Sequence, residues 1–477
     1  MSKSNQLGFL VLTALVVGNM VGSGIFMLPR SLSVAASPAG VMAAWLLTGF
    51  GVLMIALVFG NLAIRKPEIT GGPQVYAKAL FKPGSQASIL SGFMATWGYW
   101  IGNIAANVAV ITTFASYLTA FIPLLTSETA WFTIGGFTLR VGNGMTFVVC
   151  TAMLWLIHFI ILRGMEGAGK INFIATFAKV AGFCLFIVIG LFAFEKSNIL
   201  PFVDTRVDKA GNSIGIMSQV NSATLTTLWA FLGIESAVVF SSRAKKQIDV
   251  KRATIVGLFI ALAIYMAISI LVMGMLDQDR LIQSEKPLID AIETVLGKAG
   301  GQILAAIGLI SLVGSMIGWI MLSAEVPYQA AKQDVFLRGF LKENHQGFPA
   351  YSLIVTNIIT QLFIFSTVSK SIADAFDFVV VIATLAYLVP YFIASIYQLK
   401  MVLTGETYLN ARSRLEDGII SILATIYSVW VIIGGTADLK TFFYGILLLA
   451  SGIIFYGPLN KKRTGEDEET FSPNYDQ

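Results

Sequence analysis

The sequence predicts an all-α polytopic membrane protein with twelve transmembrane helices. Three observations predict it. Of 477 residues, 56% are hydrophobic and only 12% are charged, against about 25% charged in soluble domains. The apolar residues fall in long blocks near the roughly 20 residues that a helix needs to cross a bilayer, whereas an outer-membrane barrel would show alternating segments of about ten. The basic residues also sort by loop: 21 of the 32 Lys and Arg fall on the side of the termini and nine on the other. That bias places both termini in the cytoplasm, with the chain multi-pass in the cytoplasmic membrane.

Taken in order, the first block (8–36) follows a single Lys and outruns the apolar core of a signal sequence, so it reads as a retained helix. It is interrupted by Gly18-Asn-Met-Val-Gly-Ser-Gly-Ile-Phe26. Blocks two to five are 39–64, 88–122, 144–162 and 171–194. Pro67 to Tyr76, with Gly71-Gly72-Pro73, reads as a turn that can serve as a gate element. The sixth block (219–242) holds Thr226 to Ser236, with Gly233 and a carboxylate, Glu235, at its centre. Arg243 to Arg252 is the strongest inside marker. Then come 252–276, 301–331, 349–368 and 376–398, with an amphipathic helix expected on the outer face at 285–298. Blocks 418–434 and 439–457 complete the twelve, and a polar cytoplasmic tail, expected to be disordered, follows. The expected division is 1–200 (helices one to five), 201–400 (six to ten), 401–460 (eleven and twelve) and the tail 461–477.

Several function classes drop out. The net charge of +5 resolves into the inside–outside bias and gives no nucleic-acid reading. Cys150 and Cys184 lie in apolar runs and read as small buried packing residues, not as a disulfide framework or zinc site. His158 and His345 are isolated, so no metal or cofactor is expected. Glu235 and Lys179 are the only deep acid and base, and no catalytic dyad accompanies them; the chain does not read as an enzyme.

The interrupted first and sixth blocks carry the chemistry. Unwound backbone at membrane depth is tolerated only where protein or a wet cavity satisfies it. Interruptions at matching positions of two halves point to a transporter's binding site, and an odd, five-helix half implies inverted repeats. Amides at Gly22, Ser23 and Gly24, next to a half-helix N-terminus, suit a carboxylate. Carbonyls freed near Met20, Trp229 and Leu232 suit an ammonium. Together they would recognise an amino acid backbone; the alternative for each glycine cluster is close helix packing.

The first-block motif, Trp100-Ile-Gly-Asn-Ile-Ala105, Leu228-Trp-Ala-Phe-Leu-Gly-Ile-Glu-Ser236 and Gly314-Ser-Met-Ile-Gly-Trp319 resemble, in order and spacing, the basic amino acid/polyamine antiporters of the amino acid–polyamine–organocation superfamily. The resemblance runs over nearly the whole chain. It implies a leucine-transporter-type fold of five-plus-five inverted repeats with two extra helices. It also implies sodium-independent exchange of cationic amino acids, with arginine for ornithine the specific expectation. Arginine/agmatine exchange, lysine/cadaverine exchange and a proton-coupled symporter of the same fold are the alternatives. A homodimer is compatible with it.

By the same resemblance, Ser23 and Gly24 bind the carboxylate, and Trp229 moves with the sixth helix and lends its carbonyl to the amine. Asn103 meets the guanidinium, Trp319 stacks on the substrate's stem and head, and Glu235 is a gating acid. A flat cation over an indole gains about 0.5–2 kcal/mol without a buried counter-charge. Thr384 stands beside Ala383, where an arginine/agmatine exchanger places a serine, and Tyr99 stands where a smaller residue could line the head pocket. Lys179 resembles a stand-in for sodium in proton-coupled relatives; otherwise it snorkels to the interface, as Arg30 does outward. Trp319 taken alone would be a belt residue, and one of Asn103 and Asn107 could be helix glue.

Overall fold

The computed structural model describes residues 7–134, 137–163, 165–207, 213–241, 244–345, 347–368, 372–435, 443, 446–447 and 449–456. The first block is two helices, α1 (Phe9–Met20) and α2 (Gly24–Ala35), meeting at 43°. Next come α3 (Pro38–Arg65), a short α4 (Tyr76–Ala79), α5 (Gln86–Leu118), α6 (Val141–Arg163) and α7 (Met165–Phe192). The sixth block is again divided, into α8 (Ile216–Ala230) and α9 (Ser236–Val239). It is followed by α10 (Gln247–Met275), α11 (Gln278–Gln283), α12 (Pro287–Lys332), α13 (Ala350–Ile364), α14 (Ile372–Thr404) and α15 (Ala411–Gly435).

Among the described residues, eight helices are long and apolar enough to cross a membrane, or nine when α1 and α2 count as one span. The 28 residues of α3 rise about 42 Å, enough to span with both ends in the headgroups. Ser37 caps α3 by accepting from Gly40 N, and Pro38 at its first turn has no N–H to satisfy. The block at 349–368 is shorter, since α13 has 15 residues. Arg243, part of the twelfth block and the tail 461–477 lie outside the described residues.

The molecule is not helical throughout. Ala130–Ile134 and Phe137–Arg140 pair as an antiparallel hairpin, and Arg206–Val207 pairs with Ser213–Ile214. The first hairpin flanks a Gly-Gly pair with β-branched and aromatic residues, a local turn signal that the search for long apolar blocks passes over. The amphipathic segment forms the start of α12, which breaks at Gly297 (φ 65°, ψ −173°) before the eighth block begins.

α5 is buried almost all round, with α12 and α14 packed along it, while α10 lies on α1 and α3. The peripheral helices turn outward large apolar side chains such as Phe159, Phe177, Leu191, Ile426 and Ile433, as contact with lipid requires. Cys150 is buried, but Cys184 is exposed on α7, so packing accounts for only one of the two. Glu235 is also not the only buried acid. Glu325 (5% exposed) lies within α12, and Asp417 (6% exposed) lies within α15, which starts about two turns earlier than its apolar pattern suggests.

Asp417 holds the eleventh block to the bundle. It accepts from Asn61 Nδ2 (2.8 Å), Arg65 Nε (2.8 Å) and Tyr408 Oη (3.0 Å). Asn61 Oδ1 in turn accepts from Lys251 Nζ at 2.7 Å. The Arg65 guanidinium lies 3.9 Å from the centre of the Tyr408 ring. One carboxylate thus joins α3, α10 and α15.

Candidate functional site

A helix that ends inside the bundle leaves its last carbonyls without amide partners. At the end of α1, side chains from three other helices supply the donors. Lys179 Nζ (α7) donates to Gly18 O at 2.9 Å, Trp319 Nε1 (α12) to Asn19 O at 3.2 Å, and Tyr265 Oη (α10) to Met20 O at 2.6 Å. Lys179 also donates to Ser315 Oγ at 2.8 Å, so the ammonium joins the first block to the eighth. It is 2% exposed and does not snorkel. Arg30, by contrast, donates to Ile282 O at 3.0 Å near the α2 end.

The second break tightens before it opens. Phe231 N bonds Leu228 O (2.9 Å) and Leu232 N bonds Trp229 O (3.1 Å), so the Trp229 carbonyl is already taken. Ile234 N, which would cap Ala230 in a continuous helix, goes instead to Phe231 O at 3.1 Å. Ser236 N, the corresponding donor for Leu232, goes to Gly233 O at 2.9 Å. Ala230 O receives Tyr265 Oη at 2.6 Å. The carbonyl to which the break gives a side-chain partner is therefore Ala230's, one residue beyond the Trp229 carbonyl that the sequence suggested.

Gly233 has φ +101°, and a Cβ there would come within 2.9 Å of Asn19 Cβ. Glycine is what lets the two breaks touch. Asn19 Nδ2 then reaches Ser236 Oγ at 2.8 Å across the junction. On the other side, α2 begins at Gly24 with no side chain capping it, and Ser23 is buried at the cap position. Two indoles cover this stretch: a Cβ on Gly22 would lie 3.5 Å from Trp319 Nε1, and one on Gly24 would lie 3.3 Å from Trp229 Nε1.

Glu235 is fully buried and satisfied by neutral donors. Tyr99 Oη donates to Oε1 at 2.7 Å, while Gly233 N (3.1 Å) and Tyr391 Oη donate to Oε2. The Tyr99 ring meets Tyr387 edge-on at 4.7 Å, and Tyr387 meets Trp319 at 6.4 Å. Asn103 Nδ2 donates to Tyr99 O at 2.7 Å, and Asn107 Nδ2 to Ser323 Oγ at 3.0 Å. The Oδ1 atoms of both asparagines and Tyr387 Oη are buried with no hydrogen-bond partner among the described residues. Buried polar atoms are rarely left so.

Of the residues singled out in the sequence, Met20, Gly22, Ser23, Gly24, Trp229, Leu232, Trp319, Glu235 and Lys179 lie at the two breaks, and Asn103 joins them through Tyr99. Thr384 is buried, and its Oγ1 donates back to Val380 O at 2.7 Å. Tyr265, Tyr387 and Tyr391 were not singled out. A phenol in mid-span needs a partner, and that was the available signal.

The arrangement offers a positive half-helix end, carbonyls at two helix ends and an aromatic wall with open acceptors. A family model described as amino acid permease matches residues 7–464. The chain belongs to the amino acid permease family. The permease is 52% identical over 463 residues (97% of this chain, 98% of the relative) to a Bacillus subtilis protein whose name proposes an arginine/ornithine antiporter. It is 37% identical over 461 residues to an arginine/ornithine antiporter of Pseudomonas aeruginosa (95% and 90% covered). It is also 35% identical over 480 residues to an arginine/agmatine antiporter of Chlamydia abortus (98% and 93% covered).

Proposed function

We propose that this permease exchanges cationic amino acids across the cell membrane without sodium, taking up arginine for ornithine. The observation that carries this is the meeting of two helix breaks at Asn19 and Gly233, with uncapped amides of α2 on one side and the Met20 and Ala230 carbonyls on the other. Backbone groups of both signs suit a zwitterion. Ser23 and Gly24 take the carboxylate, and the Trp319 ring with the open acceptors of Asn103 and Asn107 takes the cationic head. Relatives named for arginine/ornithine exchange support this choice of pair. The same reading arranges twelve spans as two inverted five-helix repeats (1–200 and 201–400) plus two helices (401–460), with both termini cytoplasmic.

Counterflow tests the proposal. Uptake of external arginine into proteoliposomes is expected to require internal arginine or ornithine, with agmatine, lysine and cadaverine as the comparison panel. Uptake that is as fast into empty vesicles, and is abolished by a protonophore, would instead identify a proton-coupled symporter. Lys179 is what favours that second reading, because a buried ammonium tying α1 to α12 can couple their movement to its proton.

Two variants probe the gate. Lys179→Ala removes donors from Gly18 O and Ser315 Oγ and is expected to slow exchange about tenfold, the worth of one lost charged hydrogen bond of roughly 1.5 kcal/mol. Unchanged transport would make the lysine an incidental packing residue. Glu235→Gln keeps the shape but cannot accept from Tyr99, Tyr391 and Gly233 together. Slower exchange with an altered pH profile is expected, and a rate matching the parent from acid to neutral pH would end the gating role.

A further inference from the structure

Tyr265 lies where neither a packing role nor the backbone-recognition scheme fully accounts for it. Its ring is fully buried, stacked on Trp45 (centroids 5.0 Å apart, planes at 19°) and edge-on to Phe231 (5.4 Å, 79°). Trp45 is fixed in turn, its Nε1 donating to Ser269 Oγ at 2.9 Å. The hydroxyl therefore has a set position, 2.6 Å from Met20 O and 2.6 Å from Ala230 O. These are the last carbonyls of α1 and α8, one from each broken span.

A phenol has one proton to donate. Two carbonyls at equal short distance compete for it, and whichever loses faces the hydroxyl's lone pairs. Gly22 N reaches Met20 O at 2.6 Å, whereas the amide that would reach Ala230 O is on Phe231 O. Two donors, Gly22 N and the Tyr265 hydroxyl, thus serve the two carbonyls, Ala230 O depends on the phenol, and the two helix ends meet because Tyr265 draws both to one atom. A substrate ammonium brings three donors to the same acceptors.

We propose that Tyr265 is the positioning residue that makes exchange obligatory. Its hydroxyl ties the ends of α1 and α8 together when the carrier is empty, and an arriving ammonium takes over the carbonyls and frees the half-helices to move. This rests on the exchange reading above, and on the ammonium binding at these breaks. It accounts for a property that substrate contacts alone do not: an exchanger must resist reorienting when nothing is bound. Arginine, ornithine and agmatine all carry the amine that would release the tie, whatever their head group.

The experiment measures release of labelled ornithine from proteoliposomes with and without external arginine, for the parent and for Tyr265→Phe. The parent is expected to release only with external arginine. The variant, which has lost the tie but keeps its ring packing, is expected to release about tenfold faster than the parent without external substrate, the factor that one ordinary hydrogen bond is worth, while retaining exchange. A merely structural role would slow both processes together. A variant whose release still depends on external arginine overturns the tie alone. A parent that releases equally with and without arginine overturns the exchange reading and the tie with it. Should the variant not reach the membrane, the parent still decides: Nα-acetylarginine keeps carboxylate and guanidinium but lacks the ammonium, and is expected not to trigger release. Release equal to that with arginine would overturn the proposal.

Discussion

Trp319→Ala is expected to weaken arginine binding about 30-fold, the factor corresponding to the ~2 kcal/mol of a desolvated cation–π contact, with the protein still reaching the membrane. The ring lies over Gly22, edge-on to Tyr387, and its Nε1 donates to Asn19 O. Truncation therefore removes both the aromatic face and one of the three donors that hold the end of α1. Trp319→Phe separates the two: it keeps a face and loses the N–H, and should fall between parent and alanine. Equilibrium binding to purified protein measures this. A Kd for Trp319→Ala equal to the parent's would take the ring out of the site, leaving Asn103 and the tyrosines to hold the head group.

The other large effect concerns stability. Asp417→Ala leaves Arg65, Asn61 and Tyr408 without their shared acceptor at a place where Asp417 itself is only 6% exposed. Arg65 is only partly buried, so the loss is set by the hydrogen bonds to a charged group, about 1.5–3 kcal/mol each. The variant is thus expected to melt well below the parent in detergent, with α15 lost from the bundle first. Asp417→Asn, which can still accept from Asn61 or Tyr408, should recover part of the loss. A parent-like melting temperature for Asp417→Ala would mean that Arg65, Asn61 and Tyr408 find water instead.

What the sequence made legible was what is local. The Gly22-Ser23-Gly24 run and Gly233 announced the two breaks, because glycine density and a carboxylate in an apolar block need no distant partner to be noticed. Trp319 stood out in the same way, following Gly314-Ser315 in mid-block. The Asp417 network was not visible, since Asn61 and Asp417 are 356 residues apart and Asp417 reads as part of a polar loop until α15 is seen to begin at Ala411. Tyr265 was hidden for the opposite reason: it is one of two aromatic residues, with Phe259, in a largely aliphatic helix, ordinary until two carbonyls from other helices arrive at its hydroxyl. The hairpin at 130–140 was missed because alternation over five residues is a weak pattern beside blocks four times as long.

The three donors at the end of α1 also bear on how the chain is made. α1 is synthesised before α7, α10 and α12, yet the side-chain partners of Gly18, Asn19 and Met20 come from those three helices, the last of them 300 residues downstream of Asn19. Bare carbonyls cost several kcal/mol each in hydrocarbon. Until Trp319 has been translated and inserted, the first span cannot settle at its final depth, and it must wait at the interface, in the translocon or against a chaperone. Nascent chains truncated before α12 are expected to have their first helix loosely held and open to quality-control proteolysis. A segment made before α12 would then mature only after it.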